Sequence, residues 1–111
     1  MKDKINQIRR FCNVPELWGW DDRVSDYCRQ HSQEMASQYK TFHAIPEYLN
    51  GWAECVGSCH YCGNIDLMIA FFLYQFLHSE EHRPIILYAK VMAVGYYIGD
   101  NRMYITIRGM M

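Results

Sequence analysis

The chain has 111 residues, half of them apolar and 21% charged, with 11 basic against 12 acidic side chains and a net charge of -1. This is about one domain's worth of sequence with enough apolar matter for a core. It excludes intrinsic disorder and fibrous repeats, and the charge balance gives no footprint for nucleic acid or an anionic membrane. The longest apolar run, Leu67 to Tyr74, falls well short of the roughly 20 residues of a membrane span, and the opening MKDKINQIRRFC lacks the apolar centre of a secretory signal.

In chain order, Ile5, Ile8 and Phe11-Cys12 recur at helical spacing and predict a short helix over 3–12. Pro15 ends it. Asp21 is a good N-cap for the cleanest amphipathic stretch, residues 22–38, whose apolar face carries Val24, Tyr27, Cys28, His31 and Met35. Thr41 to Asn50, with Pro46 inside it, reads as loop. Trp52 to Val56 reads as a short strand, and Gly57 to Asn64 as loop again. Ile65 to His78 is apolar on nearly every side, the pattern of a helix covered from more than one direction, and Arg83-Pro84 ends that region. Val91 to Ile98, the turn Gly99-Asp100-Asn101, and the alternation of Met103, Ile105 and Ile107 against Tyr104, Thr106 and Arg108 predict a terminal hairpin with one buried face. With no repeat or linker, the order suits one α+β domain over residues 1–111, helices covering a small antiparallel sheet.

The chemistry-bearing residues are histidines and cysteines. HExxH, GxSxG, phosphate-loop and GxGxxG motifs are all missing. His78 and His82 stand at the spacing of two zinc ligands on a helix face, but they straddle a helix end. Cys55, Cys59, His60 and Cys62 offer four ligands within eight residues, tight for a tetrahedron, and thiols packed as small apolar groups are the alternative. Five cysteines (Cys12, Cys28, Cys55, Cys59, Cys62) cannot all pair internally; reduced thiols, partial pairing and metal stay open. His31, on an apolar helix face, reads as a core histidine with a hydrogen-bond partner, and Met35, Trp18, Trp20 and Trp52 read as packing.

Five segments in order carry a resemblance over about Ile8 to Ile107. LWGWDDRVSDYCRQHSQEMA is similar to the opening helix of the CAP superfamily of cysteine-rich secretory, antigen-five and pathogenesis-related proteins, with Cys28, His31, Ser32, Met35 and Ala36 on its face positions. His43 follows at the interval of the family's first cavity histidine. Ala53-Glu54-Cys55-Val56 resembles its Gly-Glu-Asn-Ile element. Phe76 to Leu87 (FLHSEEHRPIIL) resembles the bacterial W-M-x-S-P-G-H-R-x-N-I-L pattern, with Phe76 in place of Trp and Glu80-Glu81 in place of Pro-Gly. Ala93-Val94-Gly95-Tyr96 with Tyr104-Ile105-Thr106 resembles the closing hairpin.

The resemblance implies a three-layer α-β-α sandwich with a surface cavity lined by His43, Glu54, Ser79 and His82. His43 and His82 match the family's two histidines, able to hold a divalent metal such as zinc weakly. Glu54 matches the first acid, and Ser79 stands where larger members have the second. Two imidazoles alone hold zinc poorly; Glu54 would orient one of them or serve as a general base. The alternative is a hydrogen-bonded polar cluster without metal. The expected function is a ligand-binding or interaction module for a small molecule, lipid or protein. The rival is a metal-assisted, peptidase-like hydrolase with Glu54 and Ser79 as candidate catalytic residues. The family is mostly exported, whereas this sequence shows no export signal.

Overall fold

A computed structural model describes all residues, 1–111. Its elements are α1 (Lys2–Phe11), β1 (Gly19–Trp20), α2 (Asp22–Gln38), α3 (Pro46–Leu49), β2 (Ala53–His60), α4 (Ile65–Leu77), α5 (Arg83–Tyr88), β3 (Val91–Gly99) and β4 (Arg102–Met110). The four strands form one sheet in the order β1-β3-β4-β2, with β1 parallel to β3 and the rest antiparallel. Helix α2 packs on β3 and β4 across one face. The other face carries α4 and α5, with α1 packed against α5. This is the expected α-β-α sandwich.

The periodic segments form as their sequences dictate. Asp21 accepts a hydrogen bond from the Val24 N–H at 2.9 Å and starts α2, which buries Cys28, His31, Ser32 and Met35. The β3–β4 hairpin closes through Asp100 and Asn101, whose φ angles of 52° and 62° put both in the left-handed region that a tight hairpin turn requires.

Four expectations are corrected. First, β2 does not stop at Val56; it runs to His60, pairing with β4 down to Arg102. Gly57 is no turn residue. A Cβ there would stand 3.1 Å from the Phe72 ring, so glycine admits the aromatic side chains of α4 against the strand. Second, β4 is not half-exposed. Met103 to Gly109 are buried without interruption, because β4 is a central strand with α2 on one face and α4 on the other. Third, α4 is not enclosed. Met68, Ile69, Phe72, Leu73 and Phe76 pack inward, while Leu67, Phe71 and Tyr74 form an exposed outer stripe. Fourth, the stretch around Pro46 read as loop holds a short helix, and Arg83-Pro84, read as the end of the apolar region, opens another. Pro46 and Pro84 sit in the first turns of α3 and α5, where the missing N–H costs no intrahelical bond.

Trp18 is also not packing as expected. It is 76% exposed, with the Lys90 ammonium 5.0 Å from its ring centroid. Trp20, by contrast, packs partly against the core, and Met35 is fully buried. The sequence gives no hint of Arg9, an almost fully buried cation of α1. Its Nε donates to the Ile86 carbonyl at 2.9 Å and its Nη2 to the Ala89 carbonyl at 2.7 Å, so carbonyls in and just after α5 satisfy the charge.

Candidate functional site

Glu54 stands directly across from Arg108 in the β2–β4 ladder. Its carboxylate is 1% exposed and accepts three hydrogen bonds. Arg108 Nε donates to Oε2 at 2.9 Å, and both His43 Nδ1 and the Ala44 N–H donate to Oε1 at 3.0 Å. A buried carboxylate is tolerated when paired and hydrogen-bonded in this way. The arrangement ties the segment after α2 to the sheet. With Nδ1 bound to Glu54, His43 has its Nε2 without a protein partner, and its side chain is 56% exposed. Sequence reasoning missed Arg108 by placing it on a solvent face. A Glu–Arg cross-strand pair could have pointed to it, had the register of β2 on β4 been known.

Ser79 and His82 form a second pair in the turn between α4 and α5. Ser79 Oγ lies 2.9 Å from His82 Nδ1, and the Ser79 carbonyl accepts from the N–H groups of His82 and Arg83. The His82 ring packs against Phe76, 5.3 Å between centroids. Both residues line a groove of about 410 Å³ between β2 and α4.

The four predicted cavity residues therefore stand as two pairs. Glu54 and His43 belong with Arg108, which together with Ala44 lines a cleft of about 490 Å³ between α2 and α3. Ser79 and His82 face the other groove. Nowhere does the structure bring three or more His, Cys, Asp or Glu side chains together in a group able to hold a metal. Stable zinc sites use three or four protein ligands, so the residues present do not fit a resident zinc. Glu80 and Glu81 are exposed in the turn beside Ser79.

The other histidine and cysteine candidates separate likewise. His78 Nδ1 lies 2.9 Å from the Tyr74 carbonyl, and its ring lies tilted against that of Tyr74, 4.1 Å between centroids. Cys55 and Cys59 sit in β2, where four residues span about 13 Å, too far apart for one tetrahedron. The strand pairing continues through Tyr61, whose N–H donates to the Asn101 carbonyl at 2.7 Å. His31 is the core histidine expected: Nε2 lies 2.7 Å from the Phe42 carbonyl, with the two rings edge to face.

All five cysteines are free thiols. Burial pushes Cys28 and Cys55 up from 9.0 to about 12, Glu54 adding to the effect at both and Arg108 opposing it at Cys28. Exposed Cys12 and Cys62 are expected to react with a thiol reagent at pH 8 within the mixing time, with Cys28 and Cys55 reacting only on unfolding. The sign of the pH effect follows. The folded protein holds these two protons more tightly than the unfolded chain. The stability they contribute is complete below about pH 9 and is lost up to about pH 12, at about 1.4 kcal/mol per pH unit for each thiol. Urea unfolding at pH 8 and pH 10 checks this. Equal midpoints would contradict it.

Comparison with known proteins gives the fold a context. Among solved structures, an outer surface protein from Borrelia burgdorferi superposes with a TM-score of 0.72 at 14% identity, over 98% of this chain and 88% of that one. An extracellular protein containing a SCP domain from Bacillus anthracis gives 0.70 at 23% identity, over 98% of this chain but 38% of that one. An Ancylostoma-secreted protein gives 0.60 at 13% identity, over 99% of this chain and 66% of that one. These identities support a shared fold and no more. A search of curated protein sequences returns no match. The model of the cysteine-rich secretory protein family matches residues 2–105, nearly the whole chain, and the chain therefore belongs to that family, CAP.

Proposed function

We propose that this CAP domain works by binding a small molecule, lipid or protein rather than by catalysis. One observation carries the reading: the Glu54 carboxylate, the only acid at a matching cavity position, is 1% exposed and is held by three hydrogen bonds from Arg108, His43 and the Ala44 N–H. A general base needs a free lone pair aimed at substrate or water. Glu54, closed off from solvent, holds the segment after α2 to the sheet and aims at neither, leaving His43, Ser79 and His82 as polar groups for recognition. Zinc enters this reading only as a weak visitor to single imidazoles, His43 at its free Nε2. The descriptions of the similar structures as outer surface, extracellular and secreted proteins support a setting at or beyond the cell surface.

The test is a thermal-shift screen of small molecules run beside ester and peptide turnover assays. Binding without turnover is expected, a ligand at a hundred times its Kd adding about 2.7 kcal/mol. Turnover abolished by Glu54→Gln would overturn the reading. A hydrolase reading is favoured by one specific observation, the Ser79–His82 pair at 2.9 Å. It requires Ser79 to be labelled by a fluorophosphonate and the labelling to vanish in His82→Gln. No acid hydrogen-bonds the His82 ring to complete a triad, which is why binding stands first.

A further inference from the structure

The cleft between α2 and α3 has an unusual floor. Arg108 is 6% exposed at its side chain, and its only side-chain partner is Glu54, held through Nε alone. No buried side-chain nitrogen or oxygen of the protein lacks a partner. The two Nη groups have no protein acceptor and keep some accessible surface, and Arg108 lines the cleft. A guanidinium edge presenting donors into a recess is the preferred receptor for a carboxylate, which it holds through two parallel bonds. The walls are Tyr27 and Gln30 of α2 and Tyr48 of α3, aromatic surfaces and an amide able to grip an organic body. Glu34 and Glu47, both exposed, add negative charge to the same cleft.

We propose that this cleft binds a small zwitterion by its carboxylate, which Arg108 holds at the floor while Glu34 and Glu47 receive a cationic group. The proposal rests on the binding reading above and names its ligand class. Glu54 fixes the guanidinium through Nε, so the free edge is oriented before the ligand arrives, which lowers the entropic cost of binding. The acids disfavour a purely anionic ligand, so sulfate or phosphate is the wrong occupant. A free amino acid and the C-terminus of a short peptide offer the same chemistry. They differ in the span between their charges, and the experiment separates them.

The experiment records amide chemical shifts of the whole chain while titrating three probes: free phenylalanine, the dipeptide Lys-Phe, and Lys-Phe with its C-terminus amidated. Lys-Phe is expected to shift signals around Arg108, Tyr27 and Tyr48, and amidation to weaken it at least tenfold. Phenylalanine matching Lys-Phe would identify a free amino acid as sufficient, and a weaker response would identify a peptide end; either outcome supports the carboxylate site. Glu34→Gln and Glu47→Gln, at exposed positions, are expected to weaken Lys-Phe severalfold without changing the midpoint of unfolding. Acid and amide binding equally, or neither moving the cleft signals, would overturn the proposal. Shifts confined to the β2–α4 groove would overturn it while leaving the binding reading intact. Silence of both clefts towards these probes, a wider small-molecule library and lipid vesicles would overturn the proposal and leave the binding reading with protein partners alone.

Discussion

Replacing Glu54 with alanine is expected to lower the unfolding free energy by about 3–5 kcal/mol, measured by urea denaturation at pH 7. The reason is the partner left behind. Arg108 would keep its charge in a nearly closed site with its Nε unpaired, and the Ala44 N–H would lose its acceptor. Loss of the pair's own attraction is the smaller part of the effect. The double substitution Glu54→Leu with Arg108→Met should therefore recover most of the loss, because an apolar pair of similar volume has no charge to desolvate. His43→Ala, at a half-exposed side chain, should cost less than about 1 kcal/mol. A loss below about 1 kcal/mol in Glu54→Ala would show that the carboxylate does not hold this site together.

The second large effect is expected at Gly95. A Cβ there would lie 2.1 Å from the Arg29 nitrogen and 2.6 Å from the Cys28 carbonyl carbon, backbone atoms of α2 that cannot rotate aside. The helix reaches so close because Ser32 Oγ donates to the Gly95 carbonyl at 3.0 Å and Ser25 Oγ accepts from the Val94 N–H at 3.2 Å. Gly95→Ala must push α2 off the sheet and break both bonds, at about 3 kcal/mol or more. Gly109→Ala is the informative control. Its close neighbours are the Ile85 Cγ2 at 2.9 Å, which can rotate, and the Ala89 Cβ at 2.7 Å, which is fixed to its backbone but overlaps far less than the 2.1 Å approach at Gly95. A milder loss is expected there, and equal losses at the two positions would contradict the argument.

What the sequence revealed follows from the range over which each signal acts. Helix α2 was legible from end to end because its spacing and its Asp21 cap are local. So was the Asp100-Asn101 turn. The extent of β2 was not, since Gly57 is a turn signal in isolation and becomes a packing site only once Phe72 and Phe76 are known to lie against it. Arg108 escaped for the same reason. Alternation along β4 suggests one wet face, and only the placement of α2, brought back from about 70 residues earlier in the chain by β1 and β3, dries it. The neighbourhood of His43 and Glu54 came from resemblance alone, as nothing in either segment announces the other. The pairing of Ser79 with His82 was within reach of local spacing, three residues apart at the end of a helix.

The position of β4 has a consequence for biosynthesis. It is the strand that both β2 and β3 pair with, yet it is the last element in the chain. While Arg102–Met110 remain inside the ribosome, β2 has no neighbour, β3 has only two residues of β1 beside it, and α2 lacks about a third of the surface it rests on. Nascent chains thus leave the apolar helix faces of this domain uncovered until β4 has emerged, the interval in which a holdase or translocation machinery has the most to grip.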